Sequence, residues 1–207
     1  MKILALSSHT DDIEVSCGGK LIKDLEAGHD IKAVVFSYCQ ESLPDIFKFD
    51  KLKTEFESSM QVAGIDDYII YNYPVRHFSE HRQEILDNLI AIRTEFNPDL
   101  IITHSLNDIH QDHRVVAIES IRAFKNSASI LAMEMPHNNL EFRNQYYERL
   151  TENQIRKKIL MLQQYESQLY LGRRMFEEEM IWSWARLNGF CCNSKYAECF
   201  EVVRIIQ

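Results

Sequence analysis

Two short polar runs gather the groups that could do chemistry: His9-Thr10-Asp11-Asp12 near the start, and Asp108-Ile109-His110-Gln111-Asp112-His113 about a hundred residues later. Together they offer three imidazoles and four carboxylates. Neutral imidazole and carboxylate are the donors that suit zinc in catalytic sites, where three protein ligands leave one position open. A set of two histidines and one carboxylate is available, with further carboxylates to spare for proton transfer. Spacing alone does not say which group takes which part. Each run also has a plainer reading: Asp12 or Asp112 as a helix cap, and the histidines as surface residues that follow strands.

If the runs are to act together, the fold must bring them together. Lys2–Ser7 is a short apolar run suited to a strand buried on both faces of a parallel sheet, and His9 falls just beyond its end. Leu21, Ile22 and Leu25 follow at helical spacing up to Gly28, a natural helix stop, and Ile31–Phe36 reads as a second strand. Strand, helix, strand in this order is a right-handed βαβ unit. Leu100–Thr103 reads as a further buried strand, with the polar stretch 104–113 after it and a helix starting near Asp112. In open parallel sheets, ligand sites lie beyond the carboxyl ends of the strands, so the two runs can meet there. Elsewhere the pattern predicts helices around 49–63, 83–96 and 152–168, strands at 68–71, 130–135 and 200–206, and a pocket-bordering loop over 37–50.

The whole chain sets limits. Its 207 residues, 45% hydrophobic and 26% charged, fit one soluble domain spanning 1–207. A formal charge of −8 and a pI near 5.5 argue against nucleic acid as a partner and favour a small-molecule substrate. With no basic and apolar leader and no apolar run of about 20 residues, the expectation is a cytoplasmic protein without a membrane span. Five cysteines without C-x-x-C spacing indicate reduced thiols rather than a disulfide framework or a zinc ribbon. A symmetric homo-oligomer is the prior for a soluble enzyme.

At these residues the chain resembles the PIG-L/LmbE-like family of zinc-dependent de-N-acetylases. That family carries His-Pro-Asp-Asp after its first strand and His-x-Asp-His later. Here the two stand as His9-Thr10-Asp11-Asp12 and His110-Gln111-Asp112-His113, followed by Arg114. Gly18-Gly19, Glu57…Ala63-Gly64, Asn97-Pro98-Asp99, Tyr165-Glu166-Ser167-Gln168 and Tyr196-Ala197-Glu198 extend the likeness along nearly the whole chain. The resemblance implies an α/β fold, Rossmann-like, in three layers (α/β/α) around a mainly parallel sheet. It also implies that His9, Asp12 and His113 bind Zn2+, that Asp11 is the general base, and that His110 is a general acid or oxyanion stabiliser. Asp112 is a further catalytic candidate, orienting the His110 imidazole, and Asp108 could take a similar supporting part. One departure is Thr10 in place of Pro, which removes no donor atom.

The implied reaction removes an acetyl group from an N-acetylglucosamine-type sugar or sugar conjugate, and the sugar rests on the resemblance alone. An amidase for another acyl group or a non-sugar amide is the nearer alternative, and a non-catalytic nucleotide-binding module the farther one. Against the module, a Ser-Ser-His-Thr-Asp-Asp turn stands where a glycine-rich phosphate cradle would, with carboxylates that repel phosphate. Other divalent transition metals accept the same donors. Arg76, Arg114 and His137 are candidates for substrate contact, and Trp182 and Trp184 for a sugar-binding rim; His29, His77 and His81 read as ordinary surface residues.

Overall fold

A computed structural model describes residues 1–47 and 49–206; Lys48, within the expected loop, and Gln207 lie outside the described residues. Among the described residues seven strands form one mixed sheet: β1 (Lys2–His9), β2 (Asp30–Ser37), β3 (Tyr68–Ile70), β4 (Leu100–His104), β5 (Ser129–Met133), β6 (Tyr146–Leu150) and β7 (Tyr196–Arg204). Their spatial order is β3-β2-β1-β4-β5-β7-β6. The five strands from β3 to β5 run parallel, and β7 and β6 close one edge antiparallel. The chain leaves β1 toward β2 and β3 on one side and returns as β4 on the other. Strand order therefore reverses between β1 and β4, where a crevice opens at the carboxyl ends.

The apolar run of β1 divides between two cores because successive side chains point to opposite faces. Ile3 and Ala5 pack with residues of α1 (Asp12–Glu26), α2 (Lys51–Ala63), α5 (Glu152–Leu162) and α7 (Glu178–Cys191). Leu4 and Leu6 pack with α3 (Arg82–Phe96) and α4 (Gln111–Phe124). Helices thus cover both faces, which is why the central strands read as continuous apolar runs rather than alternating ones. The α/β expectation holds. Among the described residues no helix is long and apolar enough to cross a membrane.

The C-terminal half departs from the periodicity. The helix expected over 152–168 stops at Leu162 and resumes as α6 (Glu166–Tyr170). In the break, Tyr165 donates its hydroxyl to buried Glu14 at 2.6 Å, and Ser167 gives Glu55 two hydrogen bonds of 2.8 and 2.6 Å. These bonds draw the chain off the helical path, a tertiary demand that local propensity does not record. The last strand begins at Tyr196 rather than Phe200, and neither β6 nor α7 has a clear periodic signal.

Gly18-Gly19 and Tyr196-Ala197-Glu198 find a shared explanation in packing. The Glu198 carboxylate accepts from the Gly19 and Lys20 amides at 2.9 and 2.7 Å and from Lys158 Nζ at 2.6 Å. A Cβ at Gly19 would stand 2.5 Å from Leu150 Cδ1 and 3.0 Å from Glu198 Oε1. This buried junction ties α1, which begins at the last residue of the first polar run, to α5 and β7.

Candidate metal centre

The two runs meet at the β1/β4 crevice. β1 ends at His9 and α1 begins at Asp12, so the intervening turn is only Thr10-Asp11. Asp11 bridges it in the left-handed region (φ 86°), a conformation that is uncommon outside glycine, tolerated by Asp, and held only where the surroundings enforce it. Thr10 donates its backbone N–H to the Ser37 carbonyl at 3.3 Å, tethering the turn to the end of β2. A proline here would have no hydrogen to give, so this replacement adds an anchor to the turn.

His9 Nδ1 lies 3.2 Å from His113 Nε2, and Asp12 offers Oδ2 at 3.8 Å from the first and Oδ1 at 3.5 Å from the second. The far nitrogen of each imidazole is tied to a carboxylate. His9 Nε2 donates to Asp112 Oδ2 at 3.0 Å, and His113 Nδ1 donates to Asp108 Oδ2 at 2.7 Å. An ionised carboxylate only accepts, so both facing nitrogens are left with lone pairs. The Asp112 carboxylate therefore orients His9, not His110, and it also takes the Arg76 amide at 2.7 Å. Neither Asp12 nor Asp112 caps a helix with its side chain: α1 has no side-chain cap, and His110 caps α4 by accepting the Asp112 amide at Nδ1, 3.2 Å away.

The electrostatics follow from burial and neighbours. Burial works against the charged form of Asp12, yet His113, His104 and His9 outweigh it and hold the carboxyl well below the usual range. Burial, then the His104 charge, lowers His113 to about 4, so its imidazole is neutral near pH 7. His110 is lowered by burial and then by His9. Asp11 is pushed well above the ordinary carboxylate value by burial, then by the charges of Asp12 and Glu14.

His104 is a residue that the sequence reading left out. It ends β4, is fully buried, and stacks on His113 with ring centres 3.9 Å apart and 15° between planes. Its Nε2 accepts the Ser8 amide at 3.0 Å and lies 3.3 Å from Asp12 Oδ2. The available signal was its position, the last residue of a buried strand beside the one that ends in His9. One ring nitrogen from each of His9, His110 and His113 lies within 4.8 Å of the others, and so do a carboxylate oxygen of Asp12 and one ring nitrogen each of His104 and His113.

A cavity of about 240 Å³ opens over this cluster, lined by His9, Asp11, Asp12, His110, His113 and Gln168 among others. Cys39 and Ser42, from the loop expected to border a pocket, stand on its wall, as does His137. Arg76 and Arg114 are not among its lining residues, and both are exposed. Trp182 and Trp184 are likewise absent from it.

Residues 4–124, which include both runs, match the family model PIG-L, described as GlcNAc-PI de-N-acetylase. The chain belongs to this family. As a PIG-L protein it is a deacetylase, a hydrolase. A relative from Escherichia coli (strain K12) described as "Uncharacterized deacetylase YaiS" is 25% identical over 170 residues, covering 80% of this chain and 90% of its own. Among solved structures, N,N'-diacetylchitobiose deacetylase from Pyrococcus horikoshii is similar at a TM-score of 0.74 and 18% identity, over 98% of this PIG-L chain and 83% of that one. GalB, the 4-carboxy-2-hydroxymuconate hydratase of Pseudomonas putida KT2440, is similar at 0.81 and 19% identity, over 100% and 98%. The scaffold thus serves more than one reaction, and a likeness at this identity speaks for the fold alone.

Proposed function

We propose that this protein removes the acetyl group from an N-acetylglucosamine-type sugar or sugar conjugate, using a zinc-type dication held by His9, Asp12 and His113. The supporting observation is the convergence of two imidazole lone pairs and an ionised carboxylate, with no side-chain hydrogen between them and only the His9 amide donating to Asp12 Oδ2, at 2.8 Å. Such donors repel one another unless a cation lies between them. The 3.2 Å between the two nitrogens is close to the ~3.3 Å edge of a tetrahedron built on zinc–nitrogen bonds of about 2.0–2.1 Å, and the Asp12 carboxylate turns one oxygen toward each of them. Asp112 and Asp108, behind the two imidazoles, are the carboxylate partners that metal-binding histidines usually have. When bound, the ion supplies Lewis acidity, lowering the pKa of water and polarising an amide carbonyl.

The protein's own groups carry the protons. Asp11 lines the cavity beside Asp12 without belonging to the ligand set, and it takes the proton of the attacking water. A neighbouring dication offsets the effect of burial and keeps the carboxyl ionised, the form a general base needs. His110 Nδ1 already accepts an amide hydrogen, so in its neutral form Nε2 carries the ring's N–H. His110 then stabilises the developing oxyanion by donating a hydrogen bond. Asp11 returns its proton to the departing nitrogen as the C–N bond breaks, leaving free amine and acetate.

The test is acetate release from free and glycosidically linked N-acetylglucosamine by metal-stripped protein, with and without restored zinc. Release that requires zinc is the expected result. No release from any of the compounds, with zinc bound, would contradict the acetyl-sugar reading and turn the search to another amide.

A further inference from the structure

A second cavity of about 410 Å³ adjoins the first and shares His137, Arg173 and Met175 with it. Its chemistry differs. Val15, Pro136, Met180, Ile181 and Trp184 give it apolar walls, Arg173 and Arg174 are its charged residues, and among the described residues no carboxylate lines it. In a chain of net charge −8, a cavity whose only fixed charges are positive favours an anion. Among the described residues Arg173 has no carboxylate within salt-bridge distance, so its charge is available to a ligand, whereas Arg174 pairs with Glu177 at 3.9 Å. Trp184 is held in place, its Nε1 donating to Glu134 Oε2 at 3.1 Å with Lys158 Nζ 5.3 Å from the ring centre. Size points the same way. The catalytic cavity alone, about 240 Å³, is smaller than the roughly 300–1,000 Å³ of common ligand pockets, and with its neighbour it reaches that range.

We propose that the second cavity is the subsite for the part of the substrate beyond the acetylated sugar, and that it takes an apolar substituent bearing a negative charge. The inference rests on the deacetylase reading above for the sugar end. Arg173, at the junction of the cavities, pairs with the charge, and Met180, Ile181 and Trp184 receive the apolar body.

Methyl, phenyl and 4-carboxyphenyl N-acetyl-β-D-glucosaminides separate the contributions. With zinc-loaded protein, kcat/KM rises from methyl to phenyl and by about a further tenfold to carboxyphenyl, the size of one charge-assisted contact. In Arg173→Ala the carboxyphenyl-to-phenyl ratio falls to about one, whereas Arg173→Lys retains part of it. Calorimetric dissociation constants for the same three compounds supply a readout independent of turnover. Ranked binding without acetate release would leave the subsite standing and overturn the deacetylase reading. Equal kcat/KM and equal binding across the three, or an undiminished ratio in Arg173→Ala, would overturn the subsite.

Discussion

Asp108 supports His113 from behind: its Oδ2 accepts the Nδ1 hydrogen at 2.7 Å while its Oδ1 accepts the His110 amide, also at 2.7 Å. One buried carboxylate therefore fixes the tautomer of a proposed ligand and the backbone next to the proposed oxyanion donor. Burial opposes its ionisation, but the hydrogen bond and charge of His113 prevail and hold it below the ordinary carboxylate value. Asp108→Ala is expected to weaken zinc binding by about 10–100-fold, the usual effect of losing a group behind a metal ligand. Competition against a chelator of known affinity measures this, and an unchanged constant would remove Asp108 from the support of the centre.

The glycine pair should respond unequally to alanine. At Gly19 the new Cβ meets Leu150 and the Glu198 carboxylate, which three hydrogen bonds hold in place, so Gly19→Ala should cost about 1–3 kcal/mol. At Gly18 the nearest atom is Lys158 Cγ at 3.4 Å, an ordinary contact. There the better helix propensity of alanine is worth about 0.5–1 kcal/mol. Urea unfolding of both variants checks the contrast; equal destabilisation would contradict the packing account.

Stability should also carry a pH signature from Glu14. This carboxyl is fully buried, with Oε2 unpaired, and burial pushes it up from 4.5 to about 7 despite the Tyr165 hydrogen bond. A folded pKa above the unfolded one means that the folded state binds the proton more tightly. The stabilising contribution is then fully present below 4.5 and is lost as pH rises through about 7. Glu14→Gln, compared with the parent by denaturant unfolding of metal-free protein from pH 5 to 8, should flatten this part of the profile. An identical slope in both would refute it.

The parallel half of the molecule was legible because its strands are buried on both faces and announce themselves as apolar runs, with glycines marking helix ends at 28 and 64. His9 and His113 could be placed near one another for the same reason, since each follows such a run at a carboxyl end. The partners of the histidines could not be read this way. Asp112 lies two residues from His110 in sequence, yet its carboxylate reaches His9 across the crevice. His104 looked like one more polar residue after a strand until stacking placed it on His113. Arg173 and Trp184 belong to a charged, aperiodic stretch whose meaning depends on the cavity it forms with Val15 and Pro136, a long-range arrangement with no local pattern. The broken helix at Gln163–Tyr165 is of the same kind, set by Glu14 and Glu55 from distant parts of the chain.

The central claim is that His9, Asp12 and His113 hold the metal while Asp11 stays free to move the proton. Acetate release per bound zinc in Asp11→Asn tests it most directly. The account predicts a full complement of zinc with turnover reduced by about 10²–10⁴-fold, the usual loss on removing a general base. Undiminished turnover, or loss of the zinc itself, would contradict it.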